Sequence, residues 1–416
     1  MNVQEAPAPL ATSSGSAENV EGVLPDHGLR EAVDGGAIVV DENVAIPERN
    51  YQPASLDLRL GDFAWVLRCS FLPDADSTVE QRAVDLALED KIWIRDGATL
   101  HPGQVYLIPL MEELRLPPQV WGKANAKSST GRLDVFTRVV TDYNNRFDEI
   151  RAGYRGKLYL EVVPRSFPVK VEPTLSLNQL RLAVGDSRIS DHELRAIHAA
   201  TPLLYEGLRP VPAEHLVLSG GLFLSVDLSG GEHEIVGFKA QKNSARLDMS
   251  KIGRYAWKDF WEPIYPEKGG RMVLLPDAFY LLLSAEGVCI PPGYAAEMMA
   301  YDPTAGELRT HYAGFFDPGF GFDPRDRAHG TRAALEVRAR DVPFMLEHGQ
   351  GICKLAFERM AEPPTRLYGA DLGSHYQGQA TTLSKHFATE TADPHPRQAP
   401  RSSPSPATEL ARPALF

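Results

Sequence analysis

The sequence predicts a mainly β protein made of two tandem barrel-like units with short helices. Short runs of Val, Ile, Leu, Phe and Tyr alternate with Gly and Pro turns along most of the 416 residues. Short peptides also recur in order. Ser55-Leu56-Asp57-Leu58 returns as Ser225-Val226-Asp227-Leu228, Tyr106-Leu107 as Tyr280-Leu281, and Pro117-Pro118 as Pro291-Pro292. Leu160-Glu161-Val162 returns as Leu335-Glu336-Val337, and Pro168 as Pro343. The offsets lie between 170 and 175, a spacing that points to a duplicated β-domain.

Taken in order, residues 1–20 are small and polar and read as a disordered tail. Residues 21–200 form the first unit. It opens with an amphipathic pattern over Asp26–Gly36 (Leu29, Ala32, Val33) that predicts a short helix. Strands are expected over Lys91–Ile94, Gln104–Pro109 and Lys157–Val163, and a helix over Asp191–Ala199. Residues 201–360 form the second unit, with a strand over Met272–Leu275; Ala245–Phe260 fits no single class. Residues 361–385, polar, aromatic and glycine-rich, read as a closing flap. Residues 386–416, rich in Pro, Ser, Ala and Thr, lack the apolar side chains needed to offset ordering entropy and read as a second disordered tail.

Composition narrows the function classes. The charged fraction is 24%, the hydrophobic fraction 43%, and no apolar run is long enough to span a membrane. The first twenty residues have no basic stretch leading into a hydrophobic one. Three scattered cysteines, Cys69, Cys289 and Cys353, offer neither a disulfide framework nor a CxxC zinc site. Together these predict a cytoplasmic protein. A net charge of −12 disfavours nucleic acid as a partner, but a few local cations can still hold a small anion.

The motifs supply the chemistry. Gln52-Pro-Ala-Ser-Leu-Asp-Leu-Arg-Leu-Gly61 reads as a turn feeding a strand. Lys127-Ser128-Ser129-Thr130-Gly131-Arg132 joins two cations, three hydroxyls and a glycine, the equipment of a phosphate site; alone, it also fits a solvated polar turn. Glu161 stands between apolar strand residues. Burial there would raise its pKa towards that of a general acid–base, whereas an open strand face would leave it an ordinary surface carboxylate. Asn144-Asn-Arg-Phe-Asp148 and the turn Gly153-Tyr-Arg-Gly156 lie between the two.

In this order the motifs resemble the dCTP deaminases of the dUTPase-like superfamily. The most specific match is the closing run Tyr368 … Tyr376-Gln-Gly-Gln379 … Thr382-Leu-Ser384. The resemblance spans Gly22 to Leu182 as one whole unit and Gly221 to Lys385 as a diverged second one. It implies tandem dUTPase-like (β-clip) units and hydrolytic deamination of dCTP to dUTP and ammonia. Catalytic residues would be Glu161 as acid–base, Arg132 and Ser128. Lys127, Ser129, Asp148, Tyr159, Leu160, Tyr368, His375 and Gln379 would bind substrate. No catalytic metal or other cofactor is implied, with Mg2+ expected on the triphosphate. A homo-oligomer, trimeric in the family, is implied as well.

The chain departs from the family pattern at several points. Lys127 replaces an Arg, Asn145 a His and His375 a Lys, and the Asp148–Gly153 turn is longer. The second unit keeps Asp317-Pro-Gly319 and Leu335-Glu336, but has Asp302-Pro-Thr304 in place of the Ser-Ser motif. That predicts one working site per chain, with a second unit that is largely structural and donates the flap. Glu336 is the alternative acid if a site forms between the units. The rival readings are a dUTPase or bifunctional deaminase–dUTPase, and a non-catalytic nucleotide-binding protein. A zinc cytidine-type deaminase would need His-x-Glu and Pro-Cys-x-x-Cys, which these cysteines do not supply.

Overall fold

The computed structural model describes residues 21–388 except 42, 231–233, 300–307, 311–313, 323–329, 340, 370, 371, 373 and 379–381. The chain is mainly β, and one set of ladders occurs twice. In the first half, strand Arg155–Pro164 lies between Val105–Arg115 and Val135–Val140, with Glu161 opposite Leu107. In the second half, Thr331–Ala339 pairs with Phe279–Val288, with Glu336 opposite Leu281. A second ladder pairs Val120–Ala126 with Asn178–Val184, and again Tyr294–Met299 with Gly351–Arg359. A third sets Leu100 opposite Val169, and Leu274 opposite Phe344. Leu281 follows Leu107 by 174 residues and Glu336 follows Glu161 by 175, the spacing seen in the sequence.

One of the recurrences is out of register. Leu56 faces Leu180, and the counterpart of Leu180, Leu355, is faced by Leu222 rather than Val226. A carboxylate marks the same correspondence. Glu112 accepts the backbone N–H of Arg59, and Glu286 accepts that of Ser225. The Ser-x-Asp-Leu match is therefore a coincidence of strand-forming residues, and the other four recurrences follow the ladders.

Helices appear where local signals are strong. Asp26–Asp34 buries Leu29 and Ala32, and Asp191–Ala200 is capped by a reciprocal Ser190–Glu193 box. A further helix, Val79–Leu86, has the same device in Thr78 and Gln81 and was not foreseen. Ala245–Phe260 yields a short strand, Leu247–Asp248, and a 3-10 turn at Trp257–Asp259.

The halves interlock. Leu247–Asp248 adds to the first half's strand Val169–Val171, and Trp261, Phe279 and Leu281 share the first half's core. Two boundaries shift as a result. Helix Asp191–Ala200, placed in the first unit from sequence, sends Leu194 into the second half's core. The flap does not stop at residue 385: Phe387 is buried against Phe260 and Trp261, with ring centroids 5.5 and 6.2 Å away. Between the halves, Lys123 forms an ion pair with Glu297, which also accepts from Asn125 at 3.2 Å.

Candidate active site

The phosphate-type loop begins where strand Val120–Ala126 ends. Lys127 caps a single helical turn, Ser128–Gly131, and its ammonium pairs with the buried carboxylate of Asp57. Hydroxyls near a turn's N-terminus, with a cation beside them, leave several donors in one small volume. Gly131 leaves room for the side chain that lies against it. A Cβ there would sit 2.4 Å from Oε2 of Glu336, so the second half's acid rests directly on the first half's loop.

Glu336 is 6% exposed, and Oε2 has no hydrogen-bond partner among the described residues. Burial pushes its pKa well above the usual carboxylate value; Arg132 opposes this and Asp134 adds to it. Arg132 is buried too. It donates to the carbonyl of Thr382 at 3.3 Å, and its guanidinium lies 3.7 Å from the ring centroid of Tyr376. Its Nε has no hydrogen-bond partner among the described residues, nor has the Thr130 hydroxyl. Buried polar atoms are seldom left unsatisfied without a ligand or water to meet them.

These groups line a cavity of about 580 Å3, within the range of small-molecule sites. Asp317, Phe316 and Phe320 of the second half form part of its wall, as do Tyr368, His375, Tyr376 and Lys385 of the flap. The flap is tied to both halves. Ser384 donates to the carbonyl of Ser129 at 3.0 Å, and Tyr368 N–H to that of Pro318 at 2.8 Å. Gln377 accepts from Gly321 N–H at 3.0 Å. Burial lowers the pKa of Lys385, and the nearby Lys127 lowers it further; burial and both lysines do the same to His375. Cations that depress one another suit an anion between them.

Of the residues predicted from sequence, Lys127, Ser128, Ser129, Arg132, Tyr368 and His375 come together here. Gln379 and Asp302–Thr304 lie outside the described residues. Glu161, Tyr159, Leu160 and Asp148 do not line the cavity. Glu161 accepts from Arg138 Nε at 3.0 Å and is 1% exposed. Tyr159 donates to Glu80 at 3.0 Å, and Leu160 is core. Asp148 accepts from Val139 N–H at 2.7 Å, and burial raises its pKa to about 7. The physical reason is the interlock: the first half's loop faces the second half's strand, not its own. The second half therefore supplies more than a flap. Sequence reasoning missed Asp57, Lys385 and Tyr376 as cavity residues. It gave Asp317 no role, although its Asp-Pro-Gly turn was visible.

Comparison with known proteins bears on this cavity. A sequence model of the 2'-deoxycytidine 5'-triphosphate deaminase N-terminal domain matches residues 20–186, and one of its C-terminal domain matches residues 190–387. The chain belongs to the dCTP deaminase family. A dCTP deaminase of Shewanella amazonensis is 30% identical over 167 residues, 38% of this chain and 80% of that one. A dUMP-forming dCTP deaminase of Corynebacterium kroppenstedtii is 29% identical over 166 residues, 40% of this chain and 83% of that one. The crystal structure of 2'-deoxycytidine 5'-triphosphate deaminase from Agrobacterium tumefaciens is 41% identical. It covers 82% of this chain and 100% of its own, with a TM-score of 0.76. This member of the dCTP deaminase family thus has the tandem, mainly β architecture expected of it. Among its described residues no helix is long and apolar enough to cross a membrane.

Proposed function

We propose that the protein hydrolyses dCTP to dUTP and ammonia in the cavity between its halves, with Glu336 as the acid–base. The observation that carries this is the buried Glu336 carboxylate, one oxygen without a partner among the described residues, lying against Gly131 of the cationic hydroxyl loop. Water adds to C4 of the cytosine ring as its proton passes to Glu336. Glu336 hands that proton to N3. It then takes the remaining hydroxyl proton and delivers it to the departing amine, which leaves as ammonia while the C4 carbonyl forms. A carboxyl with a raised pKa gives and takes protons more evenly than an ordinary one. Arg132 faces the carboxylate and keeps its charged form accessible. Lys127, Ser128 and Ser129 would bind the phosphates, with Lys385 and His375 closing over them and Tyr368 beside the nucleotide. Mg2+ would enter as part of the substrate, on the phosphate oxygens.

A second reading concerns the product. Some relatives are named dUMP-forming, and the same cavity could release dUMP and pyrophosphate. Incubating the protein with dCTP and quantifying ammonia, dUTP, dUMP and pyrophosphate separates the two. Ammonia with equimolar dUTP is expected; ammonia with dUMP and pyrophosphate selects the second reading. Glu336→Gln should lower kcat by about 10²–10⁴-fold, the usual worth of a general acid–base. Near-normal ammonia release from that variant would rule out the assignment.

A further inference from the structure

Arg181 belongs to the first half, on strand Asn178–Val184, yet its guanidinium works in the second. One terminal nitrogen donates to Glu358 at 3.0 Å and to the carbonyl of Ala296 at 3.1 Å. The other donates to Asp317 Oδ1 at 3.2 Å and to the carbonyl of Phe316 at 3.1 Å. The charge lies 4.0 Å from the ring centroid of Phe315. Phe315, Phe316 and Asp317 all line the cavity, so one side chain holds three consecutive cavity residues from behind. The position is asymmetric: its counterpart in the second half, 175 residues on, is Ala356.

We infer that Arg181 is a positioning residue for the nucleotide site, fixing Asp317 so that its carboxylate accepts a hydrogen bond from a donor group of the nucleotide. Asp317 gives one oxygen to Arg181, and the other has no hydrogen bond among the described residues. A carboxylate can only accept, so the group it meets is a hydroxyl or an amine. Burial pushes the Asp317 pKa above the usual carboxylate value, and the Arg181 charge opposes that rise, so losing Arg181 would favour the neutral carboxyl further. The other charges nearby are Asp57 and Lys127 across the cavity and Glu358 behind the guanidinium. The planar fork matters, since two nitrogens satisfy two carboxylates and two carbonyls at once.

This inference rests on the proposed reaction, and its failure can be told apart from that of the reaction. Turnover of dCTP by the unaltered protein tests the reaction. A double-mutant cycle of Arg181→Gln and Asp317→Asn tests the positioning role, with melting temperature followed alongside. Arg181→Gln should raise KM for dCTP about tenfold when Asp317 is present, and change it by less than about twofold in the Asp317→Asn background. Arg181→Lys, which keeps the charge without the fork, should recover part of the loss. A merely structural arginine would lower the melting temperature and cost the same in both backgrounds. That result, or an unchanged KM in Arg181→Gln, would overturn the inference. Should the glutamine variant not fold, the lysine variant in the two backgrounds decides by the same criterion.

Discussion

Glu161 and Glu336 hold the same place in two copies of one ladder, and their surroundings differ. Glu161 is neutralised by Arg138, whose guanidinium lies 3.6 Å from the ring centroid of Phe147 and donates to Ser70 at 2.8 Å. A buried carboxylate paired in this way is a structural element, and removing its charge leaves the arginine unmatched. Glu161→Gln should therefore cost on the order of 3 kcal/mol in chemical denaturation while leaving kcat within about twofold. A large loss of kcat without loss of stability would return the acid–base role to Glu161. The cationic loop could be read from sequence because its residue types are unusual together. The placement of Glu336 beside that loop could not, because Leu-Glu-Val occurs twice and nothing local says which copy faces the loop.

At the scale of elements, the flap and the loop are tied into one unit. Ser384 ties the flap to the loop through the Ser129 carbonyl, and the same hydroxyl lies 2.9 Å from Nδ1 of His386. His386 in turn meets the carbonyl of Met249 at 3.0 Å, so this run is anchored rather than trailing. A hydrogen bond of this kind contributes about 1 kcal/mol. Ser384→Ala should raise KM for dCTP roughly fivefold with little change in kcat, which steady-state kinetics will show. An unaltered KM would mean that the tie does not act in nucleotide binding. The flap's aromatic and glycine pattern made it visible in sequence, but its end was misjudged. A lone Phe in a Pro- and Ser-rich stretch does not announce the Phe260 and Trp261 rings waiting for it. Helix Val79–Leu86, with its Thr78–Gln81 capping box, was not read from the sequence at all.

At the scale of the molecule, duplication was legible from four recurrences, and the interlock was not. Pairings such as Leu247 with Val169 join residues far apart in the chain, and no local pattern encodes them. The Lys123–Glu297 pair shows what the interlock does. The two residues are counterparts, 174 apart, and they meet each other. Lys123→Glu should set two carboxylates together and lower the melting temperature by several degrees, and adding Glu297→Lys should restore most of it. No restoration would make the contact incidental. If two first halves met across this face, lysine would oppose lysine; two second halves would bring glutamate onto glutamate. The charges at this contact thus favour each half meeting its unlike sibling over a copy of itself, a keyed, one-way fit.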